Sequence, residues 1–487
     1  MGVDRGVAAD EAESTRTGGL SLGVALGTVF ALIGAYVGSG RLSDNSFFTH
    51  LATGRIILDD GVPSVDPYTW HSAGEPWTVQ SWLASLIYAL LDESVGLLGP
   101  RLFHMVLAAL VALGTWWLSR YCESLVMRVA VAGLALAAGG FFWVERPLMI
   151  GLACFCALWF LTDRGPLWAI VPLMWVWVNS HGSFPLGVVL VVCLLVGRLM
   201  DHGDVRRPWR VVGVTVLGTV VGGVLSPVSG AILVFPLTLL ERADQLQAVS
   251  EWRSPNFADW GPRLFLVMLL LGLMAARRVG RWELVIPALV FSGAALVGAR
   301  NVPLAALALT PLLAAGAPVV GSLRATDRSR LGRVLLGLSV GGFALLAISM
   351  STDDHLDLST YPLTEILALE DEGILPDEGT KVAYRDTVGN YLEYRYGPQQ
   401  NVFFDDRFDF YSPSTLQDMI DLHNGRRVLE ILDQYDIDVV IWEDETATAD
   451  QLSTTEGWEK RPDLVPFEGT DPDGDGSTGW VIFERTP

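Results

Sequence analysis

The residues with the potential for chemistry lie at the ends of long apolar segments, and the middles of those segments contain almost no Asp, Glu, Lys or Arg. Ion-coupled transporters usually carry such groups near the centre of the membrane. The pattern therefore disfavours a transporter, which is the third interpretation we consider. Polar residues at the segment ends favour an enzyme that acts on lipid-linked substrates at the membrane surface.

The first group of such residues lies between Arg41 and Arg55, directly after the first apolar segment, and includes Asp44 and His50. An Asp at the edge of a membrane cavity can act as general base toward an acceptor hydroxyl, or it can hold a divalent cation. Asp44 is also well placed to cap the helix that follows it. Residue type alone leaves these interpretations open, so the sequence names no cofactor beyond a divalent cation at Asp44.

The second group consists of arginines at the segment ends that the charge pattern described below places outside the cell: Arg41, Arg55, Arg146, Arg253 and Arg300. A guanidinium binds phosphate oxygens in a bidentate manner, which predicts a site for a lipid phosphate. The same arginines can instead reach the anionic headgroups of the bilayer or pair with Glu145 and Glu251.

The third group is Asn179, Ser180, His181 and Gly182, which follow two tryptophans at a segment end. His181 can bind a substrate or a metal, or it can simply form a hydrogen bond at the interface. The histidines do not have the spacing of a metal site.

Late in the chain, the segment from Asp471 to Ser477 resembles the start of a calcium loop, but Ile482 stands where a bidentate Glu is needed. We interpret it as an acidic turn.

Apolar runs with few charges predict about eleven transmembrane helices within residues 19–350, preceded by a disordered cytoplasmic tail at 1–18. The first run extends from Gly19 to Gly38, and the others begin near Leu102, Val129, Leu148, Leu167, Phe184, Val211, Leu264, Leu284, Val302 and Val334. All four cysteines lie in apolar segments, so no disulfide framework is indicated.

Residues 79–98 are ambiguous, because they are apolar but are interrupted by Asp92 and Glu93. If this segment lies on the membrane without crossing it, every second loop is rich in arginine, as the positive-inside rule requires. The N-terminus is then cytoplasmic. Loop 41–100 and the region after residue 350 are outside. The protein is thus expected to be a multi-pass protein of the cell membrane.

Residues 351–487 have a very different composition, with 32 acidic and nine basic residues in a chain whose net charge is −21. Short β-rich runs (381–384, 401–404, 438–442 and 480–483) alternate with helix-like stretches (414–423 and 425–435). This pattern predicts a soluble, extracytoplasmic α/β domain. Its negative charge argues against nucleic acid as a partner.

The stretches FFTHLATGRIILDDGVPSVDPYTW and GEPWTVQSWLASLIY carry a resemblance to a known family. They resemble a group of bacterial and archaeal multi-spanning proteins related to C-type glycosyltransferases (the GT-C fold), including those similar to dolichyl-phosphate-mannose mannosyltransferases. Further similarities occur at Arg146-Pro147, at Asn179 with His181, at Glu251-Trp252, at Arg300-Asn301, and in GNYLEYRYGPQQNVFFDDRFDFY. Two departures stand out. Ser46 replaces the second Asp of the first motif, and Gln80 or Ser81 replaces the Glu of a Glu-Trp pair.

The resemblance implies a mainly α, polytopic, GT-C-like membrane glycosyltransferase with a C-terminal soluble α/β domain. Such an enzyme transfers a sugar from a polyprenyl-phosphate carrier to a glycan, lipid or protein acceptor. The implied roles are as follows: Asp44 as general base or metal ligand; Arg146 and Arg300 on the carrier phosphate; His50, Asp66, Asn179 and His181 around the sugar; Asp405, Asp406 and Arg407 near the acceptor. Arg55 and Asn301 belong to the matched motifs and are further candidate binding residues.

The alternative from another functional class is a non-catalytic membrane component of envelope-glycan assembly, whose acidic domain binds a partner. The sequence does not identify the sugar, the carrier or the acceptor.

Overall fold

The computed structural model describes residues 19–242, 250–376, 379–399, 402–464 and 479–486. The N-terminal tail at 1–18 and the acidic turn at 471–477 lie outside these ranges. The helices of the first two thirds are α1 (Leu22–Val37), α2 (Asn45–Asp60), α3 (Trp82–Val95), α4 (Leu98–Leu118), α5 (Leu125–Gly140), α6 (Leu148–Asp163), α7 (Ile170–Ser180), α8 (Pro185–Met200), α9 (Arg206–Val224), α10 (Ala231–Glu241), α11 (Trp260–Val279), α12 (Trp282–Val297), α13 (Val302–Gly316) and α14 (Arg330–Thr352). Strands β1 (Leu20–Ser21) and β2 (Arg328–Ser329) pair before α1 and α14.

Three segments of the described chain are long and apolar enough to cross a membrane: Leu98–Tyr121, Ala299–Gly316 and Arg330–Thr352. Six shorter apolar helices accompany them. Each of the eleven apolar runs in the sequence corresponds to one helix, but α9 and α11 are not among these apolar helices. Helix α3 has 14 residues, so it is about 21 Å long. That is shorter than the roughly 30 Å hydrocarbon core of a bilayer.

Small residues allow the apolar helices to pack closely. A Cβ at Gly34 of α1 would lie 2.5 Å from the carbonyl oxygen of Ala108 in α4, and one at Gly197 of α8 would lie 2.4 Å from the Cα of Glu283 in α12. These helix pairs therefore tolerate no side chain at the two glycines. We call helices α1 to α14 the helical layer and the part of the chain after residue 352 the C-terminal domain. The domain end is the end of the helical layer next to the C-terminal domain, where α1, α5 and α7 end and α4, α6 and α8 begin.

The C-terminal domain contains β3 (Val382–Ala383), β4 (Val439–Glu443), β5 (Trp458–Lys460) and β6 (Trp480–Arg485), in the sheet order β3-β4-β6-β5. Its helices are α15 (Leu363–Asp371), α16 (Asp386–Tyr396), α17 (Pro413–His423), α18 (Val428–Gln434) and α19 (Ala447–Ser453). Strand β4 is parallel to β3 and antiparallel to β6, and β5 is antiparallel to β6.

The prediction of a β-rich run at 401–404 is wrong for its described residues, 402–404. Val402 forms only an isolated bridge with Thr69. Side chains bind the backbone groups that a strand would use, because the Tyr384 hydroxyl accepts from the Phe403 amide and His71 Nε2 lies 2.7 Å from the Phe403 carbonyl oxygen.

Helix α2 belongs structurally to the C-terminal domain as well as to the helical layer. Phe47 and Phe48 are fully buried in the same apolar cluster as the strands β3, β4 and β6. The Phe48 ring makes edge-on contacts with Tyr361 and Tyr391, with 5.6 Å between centroids in each case. The other face of α2 packs on α3, where Gly54 approaches the Ser85 carbonyl so closely that a Cβ would lie 2.0 Å from its oxygen. The start of α2 is thus held from two sides.

Candidate functional site

A cavity of about 700 Å³ lies where the domain end meets the C-terminal domain. One face of helix α2 lines the cavity over successive turns, since residues three or four apart lie on the same face of a helix. The lining residues of α2 are Asn45, Ser46, Thr49, His50 and Thr53. The facing wall comes from the loops that follow α5, α7, α10 and α12 and from the segments around residues 385 and 406.

Asp44 is the N-cap of α2, and its carboxylate accepts from the Ser46 amide at 3.0 Å. Arg146 Nε donates to both oxygens of the same carboxylate at 2.8 Å, and the guanidinium also pairs with Glu251. Arg146 and Glu251 line the cavity, whereas Asp44, which pairs with Arg146, does not. The first motif thus positions a cavity arginine as well as starting a helix.

Arg300 forms no ion pair in the described part of the chain, although Glu251, which pairs with Arg146, attracts it through space. It lies in a short 3₁₀ turn between α12 and α13, and its guanidinium stacks over the Trp252 ring with 4.3 Å to the centroid. Cation–π contact fixes the position of the group without neutralising its charge. Arg300 therefore presents a full positive charge to the cavity that also contains Arg146 and Arg253.

Asp406 lies on the opposite wall and is held by three hydrogen bonds. The Ser46 hydroxyl donates to it, Asn45 Nδ2 donates at 3.0 Å, and Asn390 Nδ2 donates at 2.6 Å. Burial raises the pKa of Asp406 to about 7, although these donors and Arg146 act against the shift. A carboxylate with this pKa can accept a proton near neutral pH. Ser46, which replaces the second Asp of the sequence motif, is thus a partner of a carboxylate contributed by the C-terminal domain.

A third part of the wall is polar but uncharged. Burial lowers the pKa of His50 to about 4 and that of His181 to about 3, so both rings are neutral. The Ser183 amide donates to His181 Nδ1 at 3.1 Å, which leaves the proton on Nε2. His50 Nδ1 lies 3.0 Å from the Ser85 hydroxyl.

The sequence motifs did not single out Gln80 and Ser81 as binding residues, although they stand at the position of the Glu-Trp departure. Both line the cavity, and neither Gln80 Oε1 nor the Ser81 hydroxyl has a hydrogen-bond partner among the described residues. An unpartnered buried polar group is costly unless a ligand or water satisfies it. The departure from the resembled motif was the sequence signal that could have identified this position.

Arg407 lines the cavity, but its charge is paired with carboxylates of the protein. It pairs with Asp405 and Asp66, at 2.6 and 2.8 Å, and contacts the rings of Tyr68 and Trp77. Asp66 also accepts from the Tyr68 and Thr69 amides. Asp66 and Asp405 do not line the cavity. These charges fasten loop 61–81 to the C-terminal domain.

Arg55, Asn179 and Asn301 lie away from the cavity lining. Arg55 pairs with Asp92 at 2.8 Å. Asn179 is fully buried and receives a hydrogen bond from Trp82 Nε1 at 2.7 Å, which connects α7 to α3. Asn301 donates to the Ala294 carbonyl at the end of α12. These three residues therefore stabilise the helices and turns that form the cavity walls without lining the cavity themselves.

The cavity has an arm inside the C-terminal domain, which the sequence did not predict. It is lined by Asp386, by Arg385, which pairs with Glu443, and by His423. Burial raises the pKa of Asp386. The backbone amides of Asp386 and Thr387 bind its carboxylate, and no side chain of the described ranges does, so the arm offers further acceptor capacity.

The described residues contain no group of three or more His, Cys, Asp or Glu side chains arranged to hold a metal ion. At Asp44, Arg146 Nε occupies both carboxylate oxygens. A divalent cation at Asp44 does not fit this arrangement, so we derive no step through a metal.

No protein-family model matches the chain. No curated protein matches it by sequence either. Among solved structures, the apo form of the Archaeoglobus fulgidus oligosaccharyltransferase aligns with a TM-score of 0.52 and 11% identity, over 86% of this chain and 69% of that one. The chain has a GT-C-like fold.

Two other solved structures align less closely. One is the archaeal oligosaccharyltransferase AglB from Archaeoglobus fulgidus, in complex with an inhibitory peptide and a dolichol-phosphate, with a TM-score of 0.49, 10% identity, and coverage of 86% of this chain and 69% of that one. The other is the mycobacterial arabinofuranosyltransferase AftD, with a TM-score of 0.46, 15% identity, and coverage of 94% of this chain and 41% of that one. Together with the apolar helices, the GT-C-like fold indicates a membrane protein.

Proposed function

We propose that the protein is an inverting membrane glycosyltransferase that takes a sugar from a polyprenyl-phosphate carrier and passes it to a hydroxyl-bearing acceptor at the outer face of the cell membrane. The observation that carries this proposal is Arg300, a cation that forms no ion pair among the described residues and stacks on Trp252 in the cavity that Arg146 also lines. Guanidinium groups suit phosphate oxygens. The GT-C-like fold agrees with sugar transfer.

The two arginines would stabilise the charge that develops on the departing phosphate, and electrostatic stabilisation of this kind usually contributes more to the rate than any other single effect. Because Arg146 is shared with Asp44 and Glu251, an arriving phosphate would compete with these carboxylates for its donors. Asp44 would then hold Arg146 in position until the carrier phosphate binds.

In the transfer step, the acceptor oxygen forms a bond to the anomeric carbon while the bond from that carbon to the phosphate oxygen breaks, and the acceptor proton passes to a carboxylate. Asp406 is better placed than Asp44 to take this proton, because it lines the cavity and has a pKa of about 7. We therefore propose Asp406 as the base and Asp44 as the partner of Arg146.

The uncharged wall formed by His50, His181, Gln80 and Ser81 would bind the sugar hydroxyls. The acceptor would enter through the arm that carries Asp386 and His423. Arg407, Asp405 and Asp66 would then act only by holding the C-terminal domain against loop 61–81.

The test is transfer of radiolabelled sugar from a panel of polyprenyl-phosphate donors by the purified protein in liposomes. Arg300→Gln should lower the transfer rate by about 100-fold or more, as expected for the loss of one group that stabilises transition-state charge. Arg263→Gln is the matched control, because Arg263 also stacks on a tryptophan, at 5.2 Å from the Trp260 centroid, but does not line the cavity.

Equal transfer by wild type and Arg300→Gln would contradict the proposed phosphate site. Absence of transfer from every donor, with the folded protein intact, would favour the non-catalytic role in envelope-glycan assembly.

A further inference from the structure

A second, apolar cavity of about 1370 Å³ runs along the helical layer, away from the site described above. It is a groove between α1, α4, α6 and α7, and it shares no lining residue with the polar cavity. Its lining on α4 extends from Phe103 to Trp117, a helical rise of about 21 Å. That length exceeds half of the roughly 30 Å hydrocarbon core, so the groove can accommodate a chain that crosses one leaflet.

The groove is open along one side. Val24, Leu110, Leu113 and Phe160 line it and are nevertheless 42–55% exposed. On the inner side of the groove, Ala153 and Ala157 of α6 have side chains too small to fill it. A bilayer around the helices would therefore reach this groove laterally.

One end of the groove carries two arginines and no acidic lining residue within the described ranges. Arg128 stacks over the Trp116 ring at 4.1 Å and donates to the Ser119 hydroxyl and the Trp116 carbonyl, which are both uncharged. Arg328 has no side-chain partner in the described part of the chain, and the adjacent Asp327 accepts from the Arg324 amide instead. Two arginines that form no ion pair among the described residues thus line one end of the apolar groove.

We infer that this groove is a binding site for an anionic phospholipid, with an acyl chain in the channel and the headgroup phosphate between Arg128 and Arg328. The charge selects an anionic headgroup over a zwitterionic one. The open side of the groove admits a lipid from the bilayer. Arg128 and Arg328 lie at the end opposite the domain end, so the lipid belongs to the other leaflet from the one nearest the polar cavity. The inference does not depend on the proposed enzymatic function.

The experiment is native mass spectrometry of the purified chain, after incubation with equal amounts of phosphatidylglycerol and phosphatidylcholine that carry the same acyl chains. Wild type should retain phosphatidylglycerol preferentially. Arg328→Gln should reduce that retention by about tenfold, the value of one charge-assisted hydrogen bond. Arg333→Gln is the control, because Arg333 is exposed on the same helical end but does not line the groove, and it should bind as wild type does.

A second variant tests the acyl channel separately from the headgroup. Ala157→Leu places a larger side chain in the groove, and it should reduce the retention of both lipids. Equal retention of the two lipids by wild type, or unchanged retention in Arg328→Gln and Ala157→Leu, would overturn the inference. So would a co-purified protein that occupies the groove, or loss of the retained phosphatidylglycerol when polyprenyl phosphate is added to the same mixture.

Discussion

Asp406 illustrates how the fold can give a carboxyl group a proton affinity suited to neutral pH. Its pKa of about 7 results from burial, because water no longer solvates the ionised form. The hydrogen bonds from Asn45, Ser46 and Asn390 favour the ionised form and limit the shift. The unprotonated carboxylate is therefore the dominant form only above about pH 7.

This leads to a pH-dependent prediction. If Asp406 accepts the acceptor proton, the transfer rate of wild type should rise as the pH increases through about 7. Asp406→Asn should lower the rate by about 100-fold or more, and its residual rate should lack that rise. The measurement is kcat/KM for sugar transfer between pH 5.5 and 8.5. An unchanged rise in Asp406→Asn would assign the titration to another group.

Asp44 can be tested by a pair of substitutions that separate its two contacts. Asn caps helices about as well as Asp, whereas Ala does not and costs about 1 kcal/mol. Asp44→Asn should therefore keep the stability of α2 and lose the charge that holds Arg146. Asp44→Ala should lose both. We expect the two variants to lose transfer activity to a similar degree, while thermal unfolding separates them.

A different result for the two variants would show that Asp44 acts only as a helix cap. If Asp44→Asn transfers sugar at the wild-type rate and Asp44→Ala does not, the residue acts as a helix cap only. The ion pair with Arg146 would then be dispensable for the reaction.

The packing of helix α2 on α3 depends on Gly54, a residue of the first sequence motif. Gly54 approaches the Ser85 carbonyl in α3, and a Cβ there would lie 2.0 Å from its oxygen. Since the nearest atom belongs to the backbone, the two helices must separate to admit an alanine. Such a separation would displace Ser85 and its contact with His50 in the cavity wall.

We therefore predict that Gly54→Ala destabilises the protein by about 1–3 kcal/mol, in the range of an overpacked core. Gly293→Ala is the matched control, because Gly293 lies inside α12 with no atom within 4 Å of an added Cβ. It should be neutral or slightly stabilising. The measurement is thermal unfolding of the purified variants in the same detergent. Equal unfolding temperatures would mean that α2 and α3 can move apart freely.

The sequence predicted the individual elements better than it predicted their contacts. The apolar runs contain few charges, so each one was predicted as a helix from its own composition, and each corresponds to one helix of the structure. The run at 402–404 was misassigned because His71 and Tyr384, which bind its backbone, are distant in sequence. Local pattern carries no information about such partners.

The candidate site was predictable in part for the same reason. Arg146 and Arg300 stand out because the predicted topology places them outside the cell, where the positive-inside rule makes arginines unusual. Asp405 and Asp406 are adjacent in sequence, yet only Asp406 borders the cavity while Asp405 pairs with Arg407 behind it. That distinction depends on how the C-terminal domain sits on α2. Asp386 belongs to no motif, and only the packing of the two parts brings it to the cavity.

The orientation of the whole molecule decides which carrier and acceptor can reach the cavity. The arginine-rich loops lie at the end of the helical layer opposite the domain end, and the positive-inside rule places them in the cytoplasm. The C-terminal domain and the cavity should then face outward. Cysteine labelling suits this question, because the four native cysteines are buried.

We predict that Thr454→Cys, exposed in the C-terminal domain, reacts with a membrane-impermeant maleimide on intact cells. Arg278→Cys, exposed in the last turn of α11 at the arginine-rich end, should react only after lysis. The reverse pattern would place the cavity in the cytoplasm, where an outward-facing acceptor could not enter it. It would also place the start of α1 outside, because α1 ends and α4 begins at the same domain end, so residues 79–98 do not cross the helical layer. The labelling thus tests the topology and the accessible side of the cavity together, without any assumption about the sugar.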